Sequence, residues 1–199
     1  MELHGPGLIM QGIARHASAQ VKWALVGVFY PSPHERIAMT PRIDAAKVSP
    51  EPQRAMYAIE KYLASCGLEH GLRELVKLRA SQINGCAYCI DMHWKDARAA
   101  GETEQRLYAL NAWRESPFYT DRERAALAWT EAVTLVTGGV PDDVYEAARQ
   151  HFDEQELVDL TWAVAAINAW NRMAISFRAV PGAYQPPRRP SLQPATAST

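Results

Sequence analysis

Apolar residues recur every three or four positions along most of the chain between residues 49 and 184, and no segment there alternates as a half-buried strand does. N-capping residues and an N1 proline mark where helices begin, and glycines mark where several of them end. The predicted helices run from Pro50 to about Cys66, from about Gly71 to Ile83, from Cys86 to Ala100, from near Thr103 to the residue before Ser116, from the capping box at Thr120 to Gly138, over a short stretch from Pro141, and from Asp153 to about Phe177. The pattern predicts an all-α fold, a bundle of about six to seven helices.

The two ends of the chain lack this helical period. Residues 1–38 contain several glycines and prolines, which predicts a poorly structured N-terminal extension. Met39 opens a stretch that looks like an ordinary start, so an alternative is that translation begins there and residues 1–38 are not made in vivo. Residues 185–199 are rich in Pro, Ser and Thr, which predicts a disordered tail. One folded domain over residues 39–184 remains.

The composition excludes several classes of protein. The 199 residues have a formal net charge of −1, so no basic surplus points to a nucleic-acid partner. Three cysteines are too few for a scaffold stapled by disulfides. The most apolar run, Trp23 to Tyr30, is far shorter than a bilayer span, and no small-residue cleavage site follows it. We therefore expect a cytoplasmic protein with no membrane partner.

Two cysteines and a histidine share one face of the third predicted helix. Cys86, Cys89 and His93 stand at positions i, i+3 and i+7, and both cysteines fall in the first turn. The unpaired N–H groups and the dipole at a helix start favour a thiolate, and a histidine one turn after Cys89 can serve as its base or counter-ion. These parts suffice for thiol redox chemistry. A thiolate attacks a peroxide and becomes a sulfenic acid, its neighbour closes a disulfide, and an external reductant reopens that bond.

A structural metal site is the main alternative for the same residues. A closed zinc site needs four ligands, and Cys66, at a predicted helix end, is the only further cysteine. We predict no metal and no cofactor, and we interpret Cys66 as a small core residue. A lone interior histidine is usually a core residue whose hydrogen bonds are satisfied within the protein. His93 is a candidate site residue only because it lies one turn after Cys89.

The spacing of four residues resembles that of a known family. Glu74, Cys86, Cys89 and His93 reproduce the pattern E-x11-C-x2-C-x3-H of the AhpD-like alkylhydroperoxidase group, which belongs to the carboxymuconolactone decarboxylase superfamily. The segment INAWNR at residues 167–172 resembles the late-helix motif of the same group. The resemblance covers roughly residues 39–184.

This resemblance implies an AhpD-like, all-helical fold that assembles as homotrimers or homohexamers. It implies that Cys89 is the peroxide-reactive thiol, that Cys86 resolves it and meets the reductant, and that Glu74 and His93 form a proton relay. The reductant it implies is a lipoyl-bearing or thioredoxin-like protein. Periodicity alone predicts instead that Glu74 is exposed and paired with Lys77 at i+3.

The chain departs from the family pattern at one point. The best-known peroxidases of the group have a histidine between the two cysteines, where this chain has Ala87 and Tyr88. We predict a thiol-dependent peroxidase that reduces hydrogen peroxide or organic hydroperoxides, and the departure leaves its rate and its substrate open. The alternatives are a carboxymuconolactone-type decarboxylase, which does not depend on the paired cysteines, and a non-enzymatic oligomeric redox sensor or metal-binding protein.

Overall fold

The computed structural model describes residues 39–187, and helices make up the regular structure of this range. They are α1 (Ala45–Val48), α2 (Pro50–Leu63), α3 (His70–Asn84), α4 (Ala87–Ala99), α5 (Glu104–Ala109), α6 (Asp121–Thr134), α7 (Asp142–Arg149) and α8 (Glu154–Phe177), with 3-10 turns at Leu110–Ala112 and Val136–Gly138. No β-strand occurs between residues 39 and 187, and the predicted all-α class is confirmed. The extension predicted for residues 1–38 and most of the predicted tail, residues 188–199, lie outside the described residues.

Capping residues fix several helix starts as the sequence predicts. Pro50 is the first residue of α2, and complete capping boxes open α6 at Thr120 and α8 at Asp153. The helix predicted to reach residue 115 is shorter, because α5 ends at Ala109 and the chain continues in a 3-10 turn. Leu110 and Trp113 lie beyond α5 and are both buried.

α3 lies at the centre of the bundle and packs against α4, α6 and α8. Every residue from Leu72 to Leu78 is buried, including three charged ones. Buried charges require partners inside the protein. Arg73 donates to the main-chain carbonyl of Leu63, and the Lys77 ammonium lies 2.5 Å from the carboxylate of Glu60. The third charged residue of this stretch belongs to the candidate site described below.

The turn between α3 and α4 depends on a glycine. Gly85 follows the last residue of α3 with a φ of +68°, a backbone conformation that side chains other than glycine adopt at a cost. The chain reverses there, so α4 packs along α3. The sequence predicted that α4 begins at Cys86. In the structure Cys86 is the N-cap, and the first helical residue is Ala87.

Residues 179–187, here called the C-terminal strap, lie against α4. Asp91 accepts the backbone N–H of Gly182 at 3.0 Å, and the Lys95 ammonium donates to the carbonyls of Gly182 and Tyr184, both at 3.1 Å. The Tyr184 hydroxyl donates to the carboxylate of Asp96 at 2.7 Å. The strap is therefore attached to α4 at two separate places.

α8 is the longest helix, and its apolar residues do not all face the core. Leu160, Val164 and Ile167 are fully buried, whereas Val158 and Trp162 are each 53% exposed. The sequence does not distinguish a helix buried in a core from one buried in a subunit interface. Among the helices of residues 39–187, none is both long and apolar enough to cross a membrane.

Candidate active site

The two cysteines of the C-x-x-C lie side by side at the start of α4. Their sulfur atoms are 2.7 Å apart, both side chains are buried, and both are free thiols. Because Cys86 is the N-cap, its Sγ also accepts the backbone N–H of Cys89 at 3.4 Å. Ala80 of α3 and Ile167 of α8 close the cluster. The free N–H groups of a first helical turn stabilise a thiolate at this place.

The two thiols differ in acidity. The two sulfurs share a hydrogen bond, and once Cys86 is ionised the S–H of Cys89 must be its donor. This bond is the largest effect on Cys86; burial opposes it and the N–H of Cys89 adds to it. Together these effects lower the pKa of Cys86 from an ordinary 9.0 to about 7. The pKa of Cys89 is raised, first by the same hydrogen bond, then by burial and by the charge on Cys86. The first negative charge of the reduced pair therefore lies on Cys86.

Glu74 of α3 and His93 of α4 form a buried pair. Oε2 of Glu74 lies 2.8 Å from Nδ1 of His93. Burial raises the pKa of Glu74, but the hydrogen bond and charge of His93, with smaller contributions from Lys77 and His70, outweigh it and hold the pKa below its ordinary value. The carboxylate fixes the orientation of the ring and leaves Nε2 for a second proton partner. Since His93 lies one turn after Cys89 on the same buried face, this pair adjoins the thiols.

Two expectations drawn from periodicity are wrong. Glu74 is buried rather than exposed, and Lys77 pairs with Glu60 of α2 rather than with Glu74. The reason is that several helices pack against α3, so this part of it has no solvent face. The apolar stripe of α3 marks only part of its buried surface. Glu74 instead contacts His93, the residue with which the family resemblance groups it.

One polar residue of the site, Asn171, lies in the late-helix motif at residues 167–172, but sequence reasoning assigned it no role beside the thiols. It is fully buried on α8, and hydrogen bonding from its side-chain amide lowers the pKa of both Cys86 and Cys89, although other effects dominate at Cys89. Its orientation is fixed, because its Oδ1 accepts from Asn84 at 2.8 Å and its Nδ2 donates to Ser81 at 3.0 Å. The available signal was a pair of asparagines three residues apart within an otherwise apolar stretch of helix.

One group of side chains among residues 39–187 has the composition of a metal site. Ligating atoms of Glu74, His93 and Asp96 lie within 4.8 Å of one another, and neither cysteine belongs to the group. Each of the three already has a polar partner, since Glu74 and His93 bond to each other and Tyr184 donates to Asp96. The arrangement fits a hydrogen-bonded proton network better than a set of free ligands. The absence of a metal and of a cofactor stays a prediction.

Comparisons with known proteins agree with this architecture. A profile of the carboxymuconolactone decarboxylase family matches residues 50–132, a range that contains both pairs of the site. YdfG from Bacillus subtilis, an uncharacterised protein, is 46% identical over 139 residues, which are 69% of this chain and 95% of YdfG.

Two solved structures are similar as well. ATU0492 from Agrobacterium tumefaciens, a protein of unknown function described as a candidate antioxidant defence protein AhpD, is 49% identical with a TM-score of 0.70, over 73% of this chain and 100% of that one. A peroxidase-related protein from Ralstonia eutropha with an alkylhydroperoxidase AhpD core is 25% identical with a TM-score of 0.63, over 70% and 75% of the two chains. The chain therefore belongs to the carboxymuconolactone decarboxylase family, within its AhpD-like group.

Proposed function

We propose that this protein is a thiol-dependent peroxidase that reduces hydrogen peroxide or organic hydroperoxides through Cys89 and Cys86. The observation that supports it most is the placement of two thiols 2.7 Å apart, next to a buried Glu74–His93 pair one helical turn further along α4. Peroxide reduction by this route needs a thiolate, a second thiol that closes a disulfide, and a group that handles protons. The site holds a candidate for each. The similarity to proteins described as AhpD or peroxidase-related is further support.

The reduced pair holds one proton and one negative charge between two adjacent sulfurs. The resting charge lies on Cys86, and transfer of the shared proton across the pair moves the charge to Cys89, the attacking thiol that the family resemblance implies. The Cys89 sulfur attacks the distal oxygen of the peroxide, and the O–O bond breaks. His93, oriented by Glu74, delivers a proton to the departing alkoxide, which leaves as an alcohol, or as water when the substrate is hydrogen peroxide. Cys89 becomes a sulfenic acid.

The cycle closes through the second thiol. Cys86 condenses with the sulfenic acid of Cys89, which forms the disulfide and releases one water. A dithiol carrier, lipoyl-bearing or thioredoxin-like, then reduces the disulfide by two thiol exchanges and is itself oxidised to a disulfide. The balance per cycle is one peroxide and one dithiol consumed, and one alcohol, one water and one carrier disulfide formed.

The proposal includes a homotrimeric or homohexameric assembly in the cytoplasm. The exposed apolar side chains of α8, among them Val158, Trp162 and Met173, support burial of that helix face against a second copy of the chain. Neither membrane nor nucleic acid has a part in the proposal.

Peroxide consumption by the purified protein, supplied with dihydrolipoamide, tests the proposal. Cys89→Ser is expected to abolish turnover. Cys86→Ser is expected to consume one equivalent of peroxide and stop, with a dimedone-trapped sulfenic acid on Cys89. Cys66→Ser is the matched control, because this third cysteine lies outside the pair and packs half-buried at the edge of the core. It is expected to turn over at the wild-type rate.

Two results would overturn the proposal. One is a wild-type protein with intact, reducible thiols that consumes no more than one equivalent of peroxide, as a redox sensor does. The other is turnover that survives in the Cys86→Ser/Cys89→Ser double variant. Decarboxylation of a muconolactone-type acid by that double variant would place the protein with the decarboxylases of its superfamily instead.

A further inference from the structure

A cavity of about 200 Å³ lies between Glu74 and the C-terminal strap. Its wall includes Glu74 and His70 of α3, Asp96 of α4 and Tyr184 of the strap. The lining residues that the structure describes include neither cysteine. The cavity therefore reaches the Glu74–His93 pair without passing the thiols.

Asp96 lies where the buried pair meets this cavity. It follows His93 by three residues on α4, so the two side chains are neighbours on the helix surface. Oxygen atoms of Asp96 and Glu74 and a ring nitrogen of His93 all lie within 4.8 Å of one another. A separation of that size is suited to one bridging water. The Tyr184 hydroxyl donates to Asp96 at 2.7 Å and so holds the carboxylate in place.

The surroundings shift the pKa values of the Asp96 and Glu74 carboxyl groups in opposite directions. Burial is the largest effect on the pKa of Asp96 and raises it, and the negative charge of Glu74 raises it further. The hydrogen bond from Tyr184 and the charges of His93 and His70 lower it, but the net effect is a raised pKa. The pKa of Glu74 is held below its ordinary value. The pKa of Tyr184 is raised by burial and by its bond to Asp96, so this hydroxyl remains a donor at neutral pH. Two nearby carboxyl groups that differ in this way can hold different protonation states at one pH.

We propose that Asp96, held by Tyr184, is the solvent-side end of the Glu74–His93 relay and exchanges its proton with water in this cavity. The inference rests on the proposed function, because it concerns the proton supply of that site. In the inward direction, a hydronium ion that enters the cavity from solvent protonates Asp96 and leaves as water, and Asp96 passes that proton through a bridging water to the Glu74–His93 pair. One proton moves, and no electrons are transferred. Asp96 acts through His93 and does not touch the thiols, so it is a positioning residue.

The same strap provides a matched control. Asp91 also holds the strap, through the N–H of Gly182, but it does not line the cavity. Asp91→Asn removes the negative charge that pairs with Lys95 and accepts the N–H of Gly182, and so weakens attachment of the strap. It leaves the carboxylate beside the relay in place. Asp96→Asn keeps an oxygen that can accept from Tyr184 and removes only the proton-exchanging group.

Asp96→Asn is also expected to fold. A carboxyl group whose folded pKa is raised stabilises the fold below its unfolded pKa and loses that contribution as the pH rises through the folded pKa. At neutral pH the charge of Asp96 is therefore unfavourable for the fold, and the neutral amide does not remove a stabilising charge. Tyr184→Phe is a second variant, which leaves Asp96 in place without its hydrogen bond.

Two assays separate this inference from the peroxidase proposal. The first is the rate at which iodoacetamide alkylates the thiols from about pH 5 to about pH 9, which requires no peroxide activity. The second is peroxide turnover in H2O and D2O, with and without added formate, a small acid that can enter the cavity. We expect Asp96→Asn to lose an acid-side inflection of the alkylation profile and to slow turnover about tenfold. We also expect a larger solvent isotope effect and rescue by formate, and a smaller change of the same kind for Tyr184→Phe.

Asp91→Asn is expected to match the wild type in both assays. The inference is overturned if Asp96→Asn keeps the wild-type alkylation profile and isotope effect, or if Asp91→Asn changes them as much as Asp96→Asn does. A wild-type protein that turns over no peroxide contradicts the proposed function alone, because the alkylation profiles still report whether Asp96 is coupled to the thiols.

Discussion

The acidity of Cys86 gives a sharp test of how the thiol pair works. The largest cause of its lowered pKa is the hydrogen bond that it accepts from the Cys89 thiol. Cys89→Ala removes this donor but keeps the backbone N–H that also bonds to Cys86. Burial, which opposes ionisation, is then less well offset. We expect the pKa of Cys86 to return to the neighbourhood of the ordinary thiol value.

The size of the effect follows from the two pKa values. A thiol with a pKa of about 7 is half ionised at pH 7, whereas one at its ordinary 9.0 is ionised in about one molecule in a hundred. The difference corresponds to about 3 kcal/mol of stabilisation of the thiolate. Alkylation of Cys86 by iodoacetamide at pH 7 is therefore expected to slow about 50-fold in Cys89→Ala. Cys89→Ser, which keeps a hydroxyl donor at the same place, is the matched control and is expected to slow much less.

Thiolate absorbance near 240 nm as a function of pH measures the pKa directly, and mass spectrometry of the alkylated protein shows which sulfur reacts. The reciprocal variant, Cys86→Ala, is expected to lower the pKa of Cys89, because the partner that raises it is gone. If Cys86 still titrates near pH 7 in Cys89→Ala, the helix start and not the neighbouring thiol sets its acidity. That result would refute the reasoning.

Two further substitutions test the elements around the thiols. Asn171→Asp replaces the buried amide that lowers the pKa of both thiols with a carboxylate of the same shape. We expect slower alkylation at pH 7 because the negative charge raises the thiol pKa values, and an unchanged rate would contradict the role given to this amide. Gly85→Ala is expected to destabilise the fold by about 1–2 kcal/mol in urea denaturation, since φ is +68° and no atom lies within 4 Å of an added Cβ. Gly85→Asn, a better left-handed residue, should lose less, and equal losses would contradict a backbone origin.

The fold was predictable because its signals are local. The proline at N1 of α2, the capping box at Thr120 and the glycine after α3 each lie within four residues of the helix end that they mark, and each occupies the predicted place. The last helix begins at Asp153 as predicted, and a second capping box forms there. The helix after Thr103 was predicted too long because its end is not marked locally. Leu110 and Trp113 are buried where the helix gives way to a 3-10 turn, and that burial depends on helices distant in the sequence.

The site was predictable in part for the same reason. Cys86, Cys89 and His93 lie on one helix, so their common face follows from helical spacing alone. The burial of Glu74 does not follow from spacing, because it depends on which helices pack around α3. Asn171 and Tyr184 reach the site from about 80 residues or more further along the chain, and no local pattern relates them to the cysteines. Only the structure brings them to α3 and α4.

The missing histidine between the cysteines has a consequence for the chemistry of the pair. Ala87 is exposed and Tyr88 packs against the thiol cluster, so the residues between the cysteines provide no ionisable base near neutral pH. The amide of Asn171 stands beside the sulfurs instead. An amide stabilises a thiolate at every pH, but it cannot accept or release a proton there. On the proposed reaction, all proton transfer to the departing oxygen therefore falls to His93 and the proton shared by the thiols. Since that single imidazole must be reprotonated in each cycle, a proton route through Asp96 that avoids the thiols matters more here than in a relative with a second histidine.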